Sequence, residues 1–245
     1  SDLWGALAAV ARKPNRIHGK IWTRQIRAAL YWLLAFITHR RGTLTRTYAL
    51  RHHFNEETKY TIAFDASLWG MGAILIKGSV VTHYLLDRIT DFDVAKFGHA
   101  VGADTGQQTW EALTMLVALR TWRHVWAQGR ACLTIQGDSI TALYLLADTK
   151  SRSATNVHIA REVALELGSA AYRPDRIEHI PGLTNVIPDF LSRRSCEDYA
   201  SRPWPDALTN AIQVPVEPRG PSWYLAAEPP RPPVRRKRVF ERLGV

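Results

Sequence analysis

Three short strand patterns follow one another between residues 59 and 86, with turns too brief to hold a helix between them. From Lys59 to Asp65 apolar residues alternate with small or polar ones, which is the period of a strand. Three glycines bracket a second strand, Ala73–Lys77, and Val80–Leu86 forms a third. Strands joined this closely pair as an antiparallel meander.

The remaining elements alternate between helix and strand. Leu86 to Gln108 is interpreted as an irregular connection, because it is rich in Asp and Gly. After it the patterns predict, in order, a helix over Thr109–Trp126, a strand over Ala131–Asp138, helices over Ser139–Ala147 and Asn156–Tyr172, a strand over Arg176–Ile180, and a last short helix. This order predicts the α/β class, with a mixed five-stranded sheet flanked by helices.

Four acids stand at the ends of these elements. Asp65 closes the first strand, Glu111 begins the first helix, Asp138 closes the fourth strand, and Asp189 lies in the last helix. The last position follows from turn chemistry: Pro181-Gly182 ends the strand, Asn185 can cap the helix, and a proline at 188 fits only a first helical turn.

If the four carboxylates meet at one sheet edge, their pKa values rise unless a cation intervenes. Oxygen-only ligands favour Mg²⁺ or Mn²⁺, and two such ions about 3.5–4 Å apart can promote phosphodiester cleavage. Asp65 is then expected to bridge the ions. Glu111 on its own also has an ordinary explanation, the preference of a helix N-terminus for an acid.

Composition and motifs limit the kind of binding partner and the kinds of catalytic site that the sequence can contain. Lys+Arg 32 against Asp+Glu 22 gives a formal charge of +10, which favours a polyanionic partner, with solubility as the alternative. Two cysteines form no disulfide framework or zinc pair and fit a reducing, intracellular compartment. No Gly-rich phosphate loop, Ser/His/Asp set or Cys nucleophile is present, and no apolar run reaches the ~20 residues of a membrane span.

Two flanking regions differ from the central one. Residues 1–57 contain ten Arg and Lys with only Asp2 as an acid before Glu56, and predict a basic helical extension. Residues 196–245 are rich in proline, end near Arg235-Arg236-Lys237-Arg238, and predict an extended tail that Trp204, Trp223 and Tyr224 could anchor. The predicted domain lies between them, over residues 58–195.

Four stretches together resemble the acidic motifs of the ribonuclease H domain of retroelement reverse transcriptases. They are Phe64-Asp65-Ala66-Ser67-Leu68-Trp69-Gly70-Met71-Gly72-Ala73, Trp110-Glu111-Ala112-Leu113, Gln136-Gly137-Asp138-Ser139 and Pro181-Gly182-Leu183-Thr184-Asn185-Val186-Ile187-Pro188-Asp189-Phe190-Leu191-Ser192-Arg193. Any one of them is weak, whereas the ordered set is specific. The resemblance covers roughly residues 58 to 195, and residues 1–57 are loosely similar to the segment that precedes such domains.

The resemblance implies a ribonuclease H fold and cleavage of the RNA strand of an RNA·DNA hybrid with two metal ions. It carries over Asp65, Glu111, Asp138 and Asp189 as metal-binding, catalytic acids. Within the motifs and directly after the last one, residues predicted to contact nucleic acid are Ser67, Trp69, Asn185, Arg193 and Arg194. The chain departs from the family at Ser139 and Pro188, where Asn and Ala are more usual, and it contains no Asp-Asp polymerase motif.

A second hypothesis belongs to another class: a retroelement fragment recruited as a structural or RNA-binding subunit of a large ribonucleoprotein, such as a mitochondrial ribosome, held through its C-terminal tail. This hypothesis predicts a mitochondrial location, whereas a retroelement product is expected in the nucleus or cytoplasm. A third hypothesis is an integrase-like or resolvase-like nuclease. The presence of a fourth acid, Asp189, and of Leu191-Ser192-Arg193 argues against it.

Overall fold

The computed structural model describes residues 58–129, 131–151, 153–170 and 172–226, together with residues 30, 31, 33–35, 37 and 38. Most of the predicted basic extension over 1–57 and the basic run of the tail lie outside the described residues. The described residues between 30 and 37 are helical, and Ala35 is buried against Leu165 and Ala226. Within the described part of the chain, no helix is long and apolar enough to cross a membrane.

One mixed sheet organises the structure. Its strands are β1 Lys59–Ala66, β2 Gly70–Lys77, β3 Val80–Arg88, β4 Cys132–Gly137, β5 Arg176–His179 and β6 Ile212–Gln213, in the spatial order β5-β4-β1-β2-β3-β6. The first three strands are antiparallel neighbours, so the predicted meander is correct. The β1–β4, β4–β5 and β3–β6 pairs are parallel.

The predicted count of five strands is one too few. The sixth strand, β6, comes from the region predicted as an extended tail, and its two residues pair with His83 and Tyr84 on the edge of β3. An edge strand offers unpaired backbone groups to any extended segment beside it. A pairing of two residues has no alternating pattern in the sequence, which is why it was not predicted.

Helices cover both faces of the sheet. They are α1 Asp91–Phe97, α2 Gln107–Thr121, α3 Arg123–Gly129, α4 Ile140–Asp148, α5 Asn156–Ala170, α6 Val186–Ser192 and α7 Glu197–Ala200. Ile62 and Phe64 of β1 face the larger apolar core with α2, α4 and α5, whereas Ala63 faces a smaller core with Phe190 and Leu191 of α6. The alternation of the strand therefore determines which helices pack on each face.

Two helix predictions need correction. The helix predicted over Thr109–Trp126 is two helices, because the backbone leaves helical geometry at Trp122, whose side chain is fully buried. The connection predicted as irregular contains α1. Thr90 and Asp93 form a capping box at its start and Gly98 ends it with a left-handed φ of 73°, so the signals of a helix start and stop were present in the sequence.

Residues 196–226, here called the C-terminal strap, pack against the domain. The strap contains α7 and β6, and Arg219, Trp223 and Tyr224 are all buried. The prediction that Trp223 and Tyr224 anchor the tail to a surface is correct. Contacts to β3, α1 and α5 hold the described part of the tail against the domain. The predicted domain boundaries themselves stay predictions.

Candidate active site

Asp65 and Asp138 lie at the same edge of the sheet, at the ends of neighbouring strands. In the parallel register of β1 and β4, Ala63 is opposite Gln136. Two residues further along, the same register leads to Asp65 and Asp138. Neighbouring strands are about 4.8 Å apart, so this pairing brings two carboxyl groups side by side. Asp65 is buried and Asp138 is partly exposed.

Glu111 reaches this edge from the first turns of α2. The side chain of Gln107 donates one hydrogen bond to the backbone carbonyl of Ala66 at 2.7 Å and another to Glu111 Oε1 at 3.1 Å. Gln107 thereby fixes Glu111 beside the end of β1. The Ser139 hydroxyl, which caps α4 through Ala142 N at 3.2 Å, also hydrogen-bonds with Glu111.

Asp189 lies on α6, and the backbone of this helix packs closely against the backbone of β2. An added Cβ at Gly72 would stand 2.5 Å from the Ser192 nitrogen, and one at Gly70 would stand 2.6 Å from the Ser192 carbonyl oxygen. Such distances leave no space for a side chain. The two glycines are therefore what allows α6 to carry its acid to the strand ends.

Asn185 and Pro188 set the start of α6. Asn185 occupies the N-cap position, but its side chain makes no capping bond and donates instead to the Phe64 carbonyl at 2.9 Å. Pro188 lies in the first turn, as predicted, and the bond from Asp189 N to Asn185 O at 3.1 Å is intact. Asp189 thus follows directly after the segment that ties α6 to β1.

The electrostatics of the four acids are coupled. The pKa of Asp65 is raised to about 7, mainly by burial and to a smaller extent by the charges of Asp138, Asp189 and Glu111, while the Ser192 hydroxyl opposes the increase. Burial likewise raises the pKa of Glu111, opposed by Ser139 and Gln107 and increased again by Asp138. Mutual repulsion of this kind is what a bound cation relieves.

The acids do not form a preassembled metal site. Among the described residues, no three His, Cys, Asp or Glu side chains are grouped closely enough to hold a metal ion. Two of the acids have other partners: Ser192 Oγ donates to Asp65 Oδ2 at 2.7 Å, and Arg193 Nε donates to Asp189 Oδ1 at 2.6 Å. The oxygen-only donor set suits Mg²⁺ or Mn²⁺, and each of these two contacts occupies only one oxygen of its carboxylate.

The residues predicted to contact nucleic acid divide into two groups. Ser67 and Asn185 are buried, and the Ser67 hydroxyl donates to the Ser192 carbonyl at 2.7 Å and accepts from Gly70 N at 3.0 Å. Both residues therefore hold β1, β2 and α6 together. Trp69 is 43% exposed, while Arg193 and Arg194 are partly exposed. Nucleic-acid contact by any of the five stays a prediction.

Two residues that shape the site were not predicted, namely Gln107 and Ser192. An amide at the first residue of a helix has no distinctive pattern, so Gln107 is recognisable only once Ala66 and Glu111 are seen to flank it. Ser192 lies in the motif Leu191-Ser192-Arg193, but only the packing of α6 shows that its hydroxyl binds Asp65.

Comparison with known proteins finds structural similarity alone. No protein-family model matches the chain. No curated protein matches it significantly. Solved structures that resemble it include ribonuclease H1 from Halobacterium salinarum, at 20% identity and a TM-score of 0.43, covering 57% of this chain and 98% of that one.

Two further structures are similar to the same degree. The N-terminal ribonuclease H domain of a Mycobacterium tuberculosis protein, fused to maltose binding protein, is 17% identical with a TM-score of 0.42, over 59% of this chain and 97% of that one. LC11-RNase H1, in complex with an RNA/DNA hybrid, is 14% identical with a TM-score of 0.44, over 58% and 99%.

The fold assignment rests on the topology of the sheet. A meander of three antiparallel strands is extended by two parallel strands, with helices on both faces. The predicted class, an α/β ribonuclease H-like fold with a mixed sheet flanked by helices, is confirmed, apart from the additional edge strand β6.

Proposed function

We propose that the chain is a metal-dependent endonuclease that cleaves the RNA strand of RNA·DNA hybrids and that derives from a retroelement reverse transcriptase. The observation that carries this proposal is the environment of Asp65, a buried carboxyl group with a pKa near 7 whose charge is opposed by three other acids from three other elements. Burying several negative charges close together costs free energy. Bound cations would offset that cost, so the arrangement is typical of a cation site.

Asp65, Glu111, Asp138 and Asp189 would hold two Mg²⁺ or Mn²⁺ ions. Bound there, the ions would activate water and stabilise the leaving oxygen. Gln107 and Ser139 orient Glu111, and Ser192 orients Asp65. The basic balance of the chain supplies phosphate contacts, and recognition of a hybrid uses ribose hydroxyls in its minor groove.

The test is cleavage of a labelled RNA·DNA hybrid by the full chain with Mg²⁺. The wild type is expected to cut the RNA strand and leave the DNA strand intact. Asp138→Asn should lower the rate by at least about a hundredfold while the protein stays folded, because a ligand charge is lost. Asp148→Asn, the same change at an exposed position at the end of α4, is the matched control and should retain full activity.

Two results would count against the enzyme: a wild type that leaves the hybrid uncut, or an Asp138→Asn variant that cuts as fast as the wild type. The second hypothesis, a recruited ribonucleoprotein subunit, then becomes the alternative. It relies on the tail, yet residues 196–226 of that tail are engaged with the domain itself. Co-sedimentation with a ribonucleoprotein, compared with a chain lacking residues 227–245, tests it.

A further inference from the structure

A cluster of arginines and aromatic rings begins directly after Asp189. We call it the arginine–aromatic strip, and it consists of Phe190, Arg193, Arg194, Tyr199, Arg202 and Trp204. The guanidinium of Arg202 lies 3.9 Å from the ring centre of Tyr199, and that of Arg194 lies 4.8 Å from Trp204. Trp204 packs with its ring centre 5.7 Å from those of Phe190 and Tyr84.

The strip is positively charged. Arg194 directs Nη1 to the backbone carbonyl of Arg202 at 3.0 Å and to that of Tyr199, so its hydrogen bonds neutralise none of its charge. Within the described part of the chain, neither Arg194 nor Arg202 forms an ion pair with an acid. Because Arg202 is exposed, its charge is available to a phosphate.

The strip is continuous with the candidate active site. Arg193 connects the two, because its Nε binds Asp189 Oδ1 at 2.6 Å while its guanidinium lies 5.7 Å from the Tyr199 ring centre. Asp189 in turn raises the pKa of Asp65. A strand that passes the carboxylates and continues along α6 therefore meets Tyr199 and Arg202 next.

The exposed flat groups suit unpaired bases. Trp204 is 43% exposed although other rings pack against it, and the guanidinium plane of Arg202 is held in place by Tyr199. Bases stack on aromatic rings and on guanidinium planes only when their faces are free, as in single strands. Within a duplex those faces are covered by neighbouring base pairs, so the bases of a duplex cannot stack on the aromatic rings of the strip.

We propose that the arginine–aromatic strip binds a single-stranded segment of nucleic acid that continues from the strand held at the four carboxylates. The strip thus distinguishes a hybrid with an unpaired extension from a blunt one. This inference rests on the proposed function, since it places the extension beside the hybrid site.

The experiment measures binding by fluorescence anisotropy with the full chain in EDTA, so that no cleavage occurs. The probes are a blunt RNA·DNA hybrid and the same hybrid with a short unpaired RNA extension at one end, tested at each end in turn. The extension at one end is expected to tighten binding by the wild type about tenfold, the effect of stacking one or two bases.

Two variants test the strip and one serves as a control. Arg202→Gln and Trp204→Leu should lose the gain from the extension while their affinity for the blunt hybrid is unchanged. Arg176→Gln is the matched control, because Arg176 is also exposed but lies on β5, the opposite edge of the sheet. It should retain the gain. Thermal unfolding checks that Trp204→Leu is folded, and Arg202→Gln changes only an exposed side chain.

The proposal is overturned if the wild type gains nothing from an extension at either end, if Arg202→Gln and Trp204→Leu keep the gain, or if Arg176→Gln loses the gain to the same extent as Arg202→Gln. Failure of the proposed function is seen separately. If the hybrid is bound but not cut when Mg²⁺ is added, the proposed function fails. The increase in affinity caused by the extension in EDTA still tests the strip. If the hybrid is not bound at all, loss of affinity for the free single strand in Arg202→Gln, but not in Arg176→Gln, supports the strip.

Discussion

Asp65 is a buried carboxyl group whose environment opposes its negative charge. It is 6% exposed and is surrounded electrostatically by Glu111, Asp138 and Asp189, and its main direct stabilisation is the hydrogen bond from Ser192. In water its carboxyl group would have the ordinary pKa of 3.8, whereas in the folded protein the value is about 7. The folded state therefore binds this proton more strongly than the unfolded state.

This difference predicts a dependence of stability on pH in the absence of divalent cations. The contribution of Asp65 to stability is fully present below about pH 4 and is lost as the pH rises through about 7. Asp65→Asn does not titrate. Its free energy of unfolding, relative to that of the wild type, should therefore increase by about 2–4 kcal/mol between pH 4 and pH 8 and then remain constant. Urea denaturation in EDTA measures this, and a constant difference would contradict the shifted pKa.

Cation binding should show the complementary dependence on pH. Metal ligands must be deprotonated, so Mg²⁺ at a fixed concentration should raise the melting temperature of the wild type more at pH 8 than at pH 6. The increase follows from mass action on the folded state. NaCl of equal ionic strength is the control, and Asp65→Asn should lose most of the effect. An equal increase at both pH values would argue against Asp65 as a ligand.

At the scale of elements, the position of α6 on β2 determines whether Asp189 reaches the other acids. Gly70 and Gly72 let the helix approach until backbone contacts backbone. Ser67 and Asn185 then connect the two layers by hydrogen bonds to Ser192 O and Phe64 O. A small displacement of α6 would move Asp189 away from Asp65, so stability and activity are linked at this contact.

Gly72→Ala should therefore reduce both stability and activity. Its Cβ would stand 2.5 Å from Ser192 N and 2.6 Å from Leu191 Cβ, and relief of such overpacking costs about 1–3 kcal/mol. Gly168→Ala is the matched control, because its Cβ meets nothing within 4 Å in α5, where Ala is preferred to Gly by about 1 kcal/mol. Thermal unfolding and hybrid cleavage are measured for both variants. Equal behaviour of the two would contradict close packing of α6 on β2.

The same elements show how far the sequence could predict the site. Asp65 and Asp138 were placed at one sheet edge because strand periodicity and glycine positions are local signals. The role of Gly72 is not a local signal, since it depends on Ser192, far along the chain. Helix α1 was missed although Thr90, Asp93 and Gly98 marked its ends, because the Asp- and Gly-rich composition indicated a loop.

At the scale of the whole molecule, the C-terminal strap joins parts of the domain that are distant in sequence. Arg219, whose side chain is fully buried, binds Asp93 at 2.9 Å, Asp87, and the Arg88 carbonyl at 2.7 Å. Asp93 is 126 residues away in the sequence. No periodic pattern indicates such a contact, and a proline-rich composition favours an extended chain. The sequence therefore indicated an anchor at Trp223 and Tyr224 but not the buried contacts of Arg219.

A second buried network fixes the end of the strap. Arg120 of α2 donates to the Trp223 carbonyl at 2.7 Å and to Glu162 at 2.6 Å. Glu162 accepts from the backbone nitrogens of Leu225 and Ala226 at 3.1 and 2.7 Å. Burial raises the pKa of Glu162, although Arg120 and these two bonds oppose the increase. Loss of the strap would therefore remove two of the hydrogen bonds that stabilise this buried carboxylate.

Truncation at two points tests whether the strap is part of the folding unit. A chain that ends at Ser195 leaves Asp93 without Arg219, and breaking a buried pair costs about 3–5 kcal/mol. Because it also exposes the surface that Trp223 and Tyr224 cover, its stability should fall by most of the ~5–15 kcal/mol of an ordinary domain. A chain that ends at Ala226 keeps both networks and should unfold like the full chain. Arg219→Met in the full chain isolates the ionic part, at about 3–5 kcal/mol in urea denaturation. If the chain ending at Ser195 is as stable as the one ending at Ala226, the folding unit ends at the predicted boundary. The strap then packs on the domain without contributing to its stability.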